Sequence, residues 1–430
     1  MKQIVSIFFI SNYLEFAIAS ICLWNSGCPY NYFSTKTPYS VVRGDIRDSL
    51  IKVHGCEPYS IWGLFRHGKT NPRDDIAKNM EKVINIRDDI LVSQKKGNCS
   101  LCAQDIDNLR SWTKENNIFN SPYGLTHNGF KEMAAISNRL KQAFPKLLSD
   151  LNNGSYIFRP AGSQEIIDSA VGFIDGLENK KIIIQKPKIS FDVMTPYAAC
   201  EKYQMEIKNK SSLSVEASKY QKSSDYLMMK DRIQRRTGLD YTLSDEDIMS
   251  VYDLCRYTST GFGSLPSPWC ALYTTDDLQI LEYVKDLNNY YYDGYGRAIN
   301  ERLGQIPLAD LLAKFREAKD GQGTKVVAYF GHSKVLSMLY TALGAFKDKQ
   351  LTGSHRNDNR NWRSSKLTAF SANFIAVLNR CTKDGAEDFN VVFYRNEEPL
   401  RSICEQGICT WQEFEDKLKR HIDDPTDLCE

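Results

Sequence analysis

Two short apolar runs, far apart in the chain, end in the same way. Ser60-Ile61-Trp62-Gly63-Leu64-Phe65 runs into Arg66-His67-Gly68, and Lys325-Val326-Val327-Ala328-Tyr329-Phe330 runs into Gly331-His332-Ser333. Runs of this length, rich in β-branched and aromatic residues and closed at a glycine-marked turn, read as buried strands. In open α/β sheets, ligands bind just beyond the carboxyl ends of the strands. The two histidines are therefore expected to share one pocket.

The segments between agree with an α/β core flanked by helices. Residues 155–159 read as a strand, and 129–148, 166–177 and 335–344 as helices, the last closed by Gly344. From about residue 195 to 315 the chain is rich in Lys, Glu, Tyr and Leu at helical spacing, including Tyr290-Tyr291-Tyr292. That stretch reads as a helical insertion over the core, the tyrosines serving helix packing. Residues 367–378 and 390–394 read as a return to the sheet. The formal net charge of +2 supplies no global field for nucleic acid, so that class of partner is not expected.

The first nineteen residues stand apart. Lys2 supplies a short basic region, 4–10 is mostly apolar, and Ala17-Ile18-Ala19 offers the small-x-small pattern of a signal-peptidase site. A buried N-terminal helix is the competing reading. A membrane anchor is disfavoured because Asn12 and Glu15 interrupt the run before the ~20 residues a span needs. Cleavage after residue 19 and secretion are expected, with 20–430 as the mature chain. The tail Asp427-Leu428-Cys429-Glu430 is not of the KDEL type, so retention is not expected from it.

Twelve cysteines fit an oxidising compartment. Metal binding competes, because Cys99-Ser100-Leu101-Cys102 is a CxxC, but no second CxxC or His pair stands at zinc-finger spacing. Cys404 with Cys409 and Cys255 with Cys270 are candidate disulfides, and other connectivity is open. Asn98, Asn153 and Asn209 head glycosylation sequons.

Arg66-His67-Gly68 carries the chemistry. An imidazole can attack phosphorus in line and form a phosphohistidine, splitting hydrolysis into two steps. A neighbouring guanidinium offers paired donors to phosphate oxygens, and glycine lets the backbone pass close to an anion. Phe65-Arg66-His67-Gly68-Lys69-Thr70-Asn71-Pro72 resembles the RHGxRxP box of the branch-two histidine phosphatases, which include acid phosphatases, phytases and multiple inositol polyphosphate phosphatases. Phe330-Gly331-His332-Ser333-Lys334 resembles the HAE box of the last group. Residues 31–39, Ser267-Pro268-Trp269-Cys270, Asp293-Gly294-Tyr295-Gly296 and Asn396-Glu397-Glu398-Pro399-Leu400 match the same group, and the resemblance runs from about residue 28 to 425.

The resemblance implies a phosphoglycerate-mutase-like α/β core at about 44–195 and 316–430 with a helical cap at about 196–315, and no metal or organic cofactor. It makes His67 the nucleophile, with Arg66 and His332 as phosphate ligands. Three positions depart. The second phosphate arginine falls on Thr70, a third falls on Glu165, and the proton-donating glutamate falls on Lys334. Lys69 and Arg73 flank the gap as candidate replacements. Because the Glu165 and Lys334 exchanges are opposite in sign, the two are expected to face each other as a swapped ion pair. Two functions follow as expectations: a secreted phosphomonoesterase with weakened activity on inositol polyphosphates, or a secreted binding protein that kept the fold and lost turnover.

Overall fold

β1 (Cys56–Arg66), β2 (Tyr156–Pro160) and β3 (Val326–Gly331) form where the sequence stays apolar on both faces, as strands covered on both sides require. The computed structural model describes Cys22 and residues 29–152, 154–188, 192–208, 210–259, 266–383 and 385–419. In it, β1 and β2 each pair with β3 in parallel. β4 (Asn373–Lys383) runs antiparallel on the other edge of β1, and β5 (Ala386–Arg395) antiparallel to β4. The short β6 (Glu398–Pro399) and β7 (Ile408–Thr410) pair with β5. The strand order is β2-β3-β1-β4-β5-β6, with β7 beside β5.

Register sets the site. Phe65 lies opposite Phe330 and Arg66 opposite Gly331, so β1 and β3 stop at one level. The next residue on each is a histidine, and the His67 N–H donates to the Gly331 carbonyl at 3.0 Å.

The main helices are α1 (Asp74–Lys82), α2 (His127–Ala143), α3 (Gln164–Leu177), α4 (Asp245–Tyr257), α5 (Thr275–Asp293), α6 (Ala298–Lys319), α7 (Ser333–Ala342) and α8 (Trp411–Lys419). Capping boxes start α4 at Ser244/Asp247 and α5 at Thr274/Asp277. On one face of the sheet, Phe173 of α3 packs on Phe65 and Phe330 with ring centroids 4.9 and 5.3 Å apart. On the other, Trp62 Nε1 and the Tyr329 hydroxyl donate to Asp310 of α6 at 2.9 and 3.3 Å. α6 thus lies on the core sheet, packed against α7 and α8. The roof over the strand ends draws on two segments, because α4 packs on α1, which comes from the connection between β1 and β2.

Cys255–Cys270 and Cys404–Cys409, the two pairs suggested by spacing, are disulfides. Cys22–Cys102 and Cys56–Cys381 are two more. The CxxC is therefore divided: Cys102 is bonded to Cys22, while the free Cys99 thiol donates to the Arg236 carbonyl at 3.2 Å. Among the described residues, the group close enough to hold a metal ion is Cys22, Cys102 and Asp105, and the disulfide takes both of its sulfurs. Asn98 is exposed, while residues 1–19, Asn153 and Asn209 lie outside the described residues. No helix among the described residues is long and apolar enough to cross a membrane.

A buried ionic network ties α5 to the segment before β4. Glu282 and Asp286, one turn apart on α5, accept from Arg360 at 2.9 and 2.7 Å. Glu282 also accepts from Arg363 at 2.6 Å, and Asp286 from the Ser364 N–H at 2.9 Å. Burial first, and then Asp286, push the Glu282 carboxyl upward, opposed by Arg360 and Arg363. Removing Arg360 would leave Asp286 without an ion pair and Glu282 with Arg363 alone, and both carboxylates are 0% exposed. Arg360→Met should therefore cost about 3–5 kcal/mol at neutral pH. With Arg360 gone, the Glu282 carboxyl, already raised by burial, is raised further and binds a proton more tightly folded than unfolded. The loss should then shrink as pH falls toward its protonation range, which urea unfolding at two pH values would measure.

Candidate active site

Arg66, 2% exposed at the end of β1, is held from two directions. Its Nη1 donates to the carbonyls of Thr35 at 2.5 Å and Thr368 at 2.7 Å, and the guanidinium lies over the Phe370 ring at 4.6 Å. Its Nε has no hydrogen-bond partner in the protein, so that edge is left to a ligand. Burial works against the charged form, a cost that a bound anion would offset.

His67 Nδ1 lies 2.9 Å from the Gly68 carbonyl. A carbonyl only accepts, so Nδ1 carries the proton and the Nε2 lone pair is free. Burial, then Arg66 and His332, hold the imidazole well below its usual range, so it stays neutral into acid. The Ser371 N–H donates to the His67 carbonyl at 3.0 Å. Gly68 has a task beyond the one its motif suggested. A Cβ there would sit 2.5 Å from the Gly129 carbonyl of α2, so the glycine also admits a helix.

The structure brings His332 to His67, with ring centroids 5.7 Å apart and nearly perpendicular. Glu165 is buried in the first turn of α3, where its Oε1 accepts from Ser163 at 2.8 Å and lies 3.4 Å from His332 Nε2. Burial raises this carboxyl, but the bonds from His332 and Ser163 outweigh it and hold it below its usual range.

The expected Glu165–Lys334 ion pair does not form. Lys334, in the first turn of α7, places its Nζ 4.6 Å from the Tyr197 ring centre and 5.4 Å from that of Tyr203. The Asp293 carboxyl is raised by burial, pulled back by Lys334 and Arg297, and accepts from the Tyr203 hydroxyl at 3.4 Å. The two exchanged side chains make different contacts, Glu165 with Ser163 and His332, Lys334 with the rings of Tyr197 and Tyr203.

Thr70 is buried and forms a β-bridge with Leu125, adding no charge. Neither flanking cation is in contact with His67. Lys69 donates to the Ser259 carbonyl, and Arg73 pairs with Asp75 at 2.7 Å on the surface.

Two cations escaped sequence reasoning. Lys36 extends its Nζ over the rings of Tyr257 at 5.3 Å and Phe370 at 5.2 Å. Lys285 stands on α5, and burial pushes it down to about 8. Lys36 did lie in a family-like segment, but nothing marked it as a pocket residue. Lys285 carried no motif.

The pattern that describes the histidine phosphatase superfamily (branch 2) matches residues 61–395. Multiple inositol polyphosphate phosphatase 1 of Drosophila melanogaster is 30% identical over 406 residues, covering 91% of this chain and 85% of that protein. Its Homo sapiens namesake is 26% identical over 437 residues, covering 93% and 87%. Among solved structures, the phytase from D. castellii superposes with a TM-score of 0.74 at 16% identity, over 93% of this chain and 87% of that one. The Bifidobacterium longum multiple inositol polyphosphate phosphatase, in complex with inositol hexasulfate, gives 0.68 at 15% identity, over 93% and 99%. Both structural likenesses bear on the fold, a central mixed sheet flanked by helices. The match of the superfamily pattern across both histidine-bearing strands places this chain in branch 2 of the histidine phosphatase superfamily.

Proposed function

We propose that the protein is a secreted phosphomonoesterase that removes phosphate from inositol polyphosphates through a phosphohistidine at His67, with turnover weakened by its exchanged residues. The observation that carries this reading is the free Nε2 of His67, whose tautomer is set by the Gly68 carbonyl beside the buried Arg66 guanidinium. The names of the relatives supply the substrate class. In the first step Nε2 attacks phosphorus, the ester P–O bond breaks and the leaving alkoxide takes up a proton. In the second, water attacks the phosphohistidine, releasing inorganic phosphate and the free imidazole. His67 stays neutral and nucleophilic in acid, where phosphate esters carry less charge.

Two features slow this sequence. Glu165 sets a carboxylate against His332, where a phosphate oxygen would otherwise be received. Lys334 stands where the family places a carboxylic acid, and an ammonium releases its proton to a leaving group less readily. The Glu165–His332 contact also favours a second reading, a secreted protein that binds phosphorylated ligands without turnover. Phosphate release from inositol hexakisphosphate, compared with that of His67→Ala, decides between them.

A rapid acid-free quench with radiolabelled substrate should trap an acid-labile label on His67, absent in His67→Ala. Label on another residue would overturn the mechanism.

Because Glu165 and Lys334 make different contacts, their substitutions should act on different quantities. Glu165→Gln should strengthen inhibition by inorganic phosphate about tenfold by removing a like charge. The held-down carboxyl discharges only below its ordinary 4.5, so the wild type should gain phosphate affinity toward low pH while the glutamine variant stays flatter. Lys334→Glu should instead raise kcat, by up to ~10²-fold if it restores a general acid.

Secretion is supported by the signal-like N-terminus and by four disulfides among the described residues. Mass spectrometry of protein from a eukaryotic secretion host should show loss of roughly the first nineteen residues and few free thiols. A reduced, uncleaved chain would count against it.

A further inference from the structure

Three cations gather on a cleft of about 470 Å³ that is not lined by Arg66, His67, Glu165 or His332. Arg363 and Lys366 come from the segment before β4, and Arg395 ends β5. Tyr32, Val41 and Val42 line it with them. The Arg363 guanidinium lies 5.6 Å from the Tyr32 ring centre, and that of Arg395 lies 5.1 Å from the Phe346 ring centre. Among the described residues, no carboxylate lines the cleft. Glu282, the acid 2.6 Å from Arg363, is 0% exposed and shared with Arg360. Glu397, near Arg395 in the chain, is bonded to Arg139 at 2.5 Å. Neither the Lys366 ammonium nor the Arg395 guanidinium makes an ion pair or a side-chain hydrogen bond with any described residue. We propose that this cleft is a second anion site, apart from the catalytic pocket, that takes a ring polyol carrying phosphate monoesters.

Like charges on one cleft repel each other. Burial first, and then Arg363, hold the Lys366 ammonium below its ordinary range, with Arg395 and Arg360 adding and Glu282 opposing. An oxyanion among the three heads relieves that repulsion and takes charge-assisted bonds from them. The other lining residues narrow the class of ligand. The Tyr32 ring and the two valine side chains offer apolar surface, which suits the C–H face of a ring better than a bare ion. The volume lies within the ~300–1,000 Å³ of small-molecule sites. Position gives the cleft a link to the catalytic pocket. Tyr32 stands just before Thr35, and Arg363 and Lys366 just before Thr368, the two residues whose carbonyls hold Arg66. A ligand bridging these walls would tie together the two segments that hold Arg66. The site itself does not depend on turnover at His67.

The test uses the full chain and myo-inositol hexasulfate, a ring polyol whose oxyanions are not hydrolysable phosphates. Calorimetry should show two hexasulfates per chain, one in the catalytic pocket and one in the cleft. Lys366→Glu should weaken the cleft's hexasulfate by about tenfold or more and leave the other unaltered. Arg395→Glu should do the same. Lys366→Arg should bind as the wild type does, because the charge is kept. Lys366 is exposed, so its variants preserve the test if Arg395→Glu folds poorly. Phosphatidylcholine vesicles with and without a phosphatidylinositol bisphosphate separate a lipid headgroup from a free polyol. Sedimentation with the charged vesicles that Lys366→Glu abolishes would assign the headgroup, and hexasulfate binding without sedimentation the free ligand. Hexasulfate binding that both glutamate variants leave unaltered, at any stoichiometry, would overturn the site. A Lys366-dependent hexasulfate without phosphate release would keep the site and lose the hydrolase; phosphate release with no such hexasulfate would do the reverse.

Discussion

The site is organised around one buried guanidinium that must be satisfied. Arg66 cannot remain charged at the end of β1 unless the carbonyls of Thr35 and Thr368 both reach it, because an unpaired buried charge costs several kcal/mol. Those carbonyls belong to segments near opposite ends of the chain. They are themselves fixed, since the Ser34 and Ser364 hydroxyls bond at 2.7 Å and Ser364 is held by Asp286 of α5. The ionic network under the roof is thus mechanically continuous with the phosphate arginine, and the roof helps to aim it.

The pocket's two sides have diverged. On the side of β3 and α3, a carboxylate occupies His332 and a lysine turns to an aromatic shelf with its own aspartate. On the side of the Ser34–Lys36 turn, Lys36 and Arg66 share the Phe370 ring. His67, between them, keeps the hydrogen bond that leaves its Nε2 lone pair free.

How much of this was legible follows from what is local. The apolar runs ending at Phe65 and Phe330 announced parallel strands and a shared pocket, because continuous burial shows in consecutive residues. Cys404–Cys409 and Cys255–Cys270 close loops of 5 and 15 residues and could be read from spacing. Cys56–Cys381 depends on the register that sets those residues opposite each other on β1 and β4, which no spacing reveals. The imagined pairing of Glu165 with Lys334 failed because opposite charge in one pocket says nothing about direction. Lys36 needed the fold itself, since only the fold brings the rings of Tyr257 and Phe370 to it.

The disulfide between β1 and β4 spans a sequence separation of 325 and encloses both histidine-bearing strand ends and the whole roof within one covalent ring. A peptide bond cut anywhere on that ring leaves a single molecule, its severed ends still tethered through the sheet. In surroundings rich in proteases, a first cut would therefore shed no fragment. Migration on a non-reducing gel would then report one intact species, and only reduction would show the break.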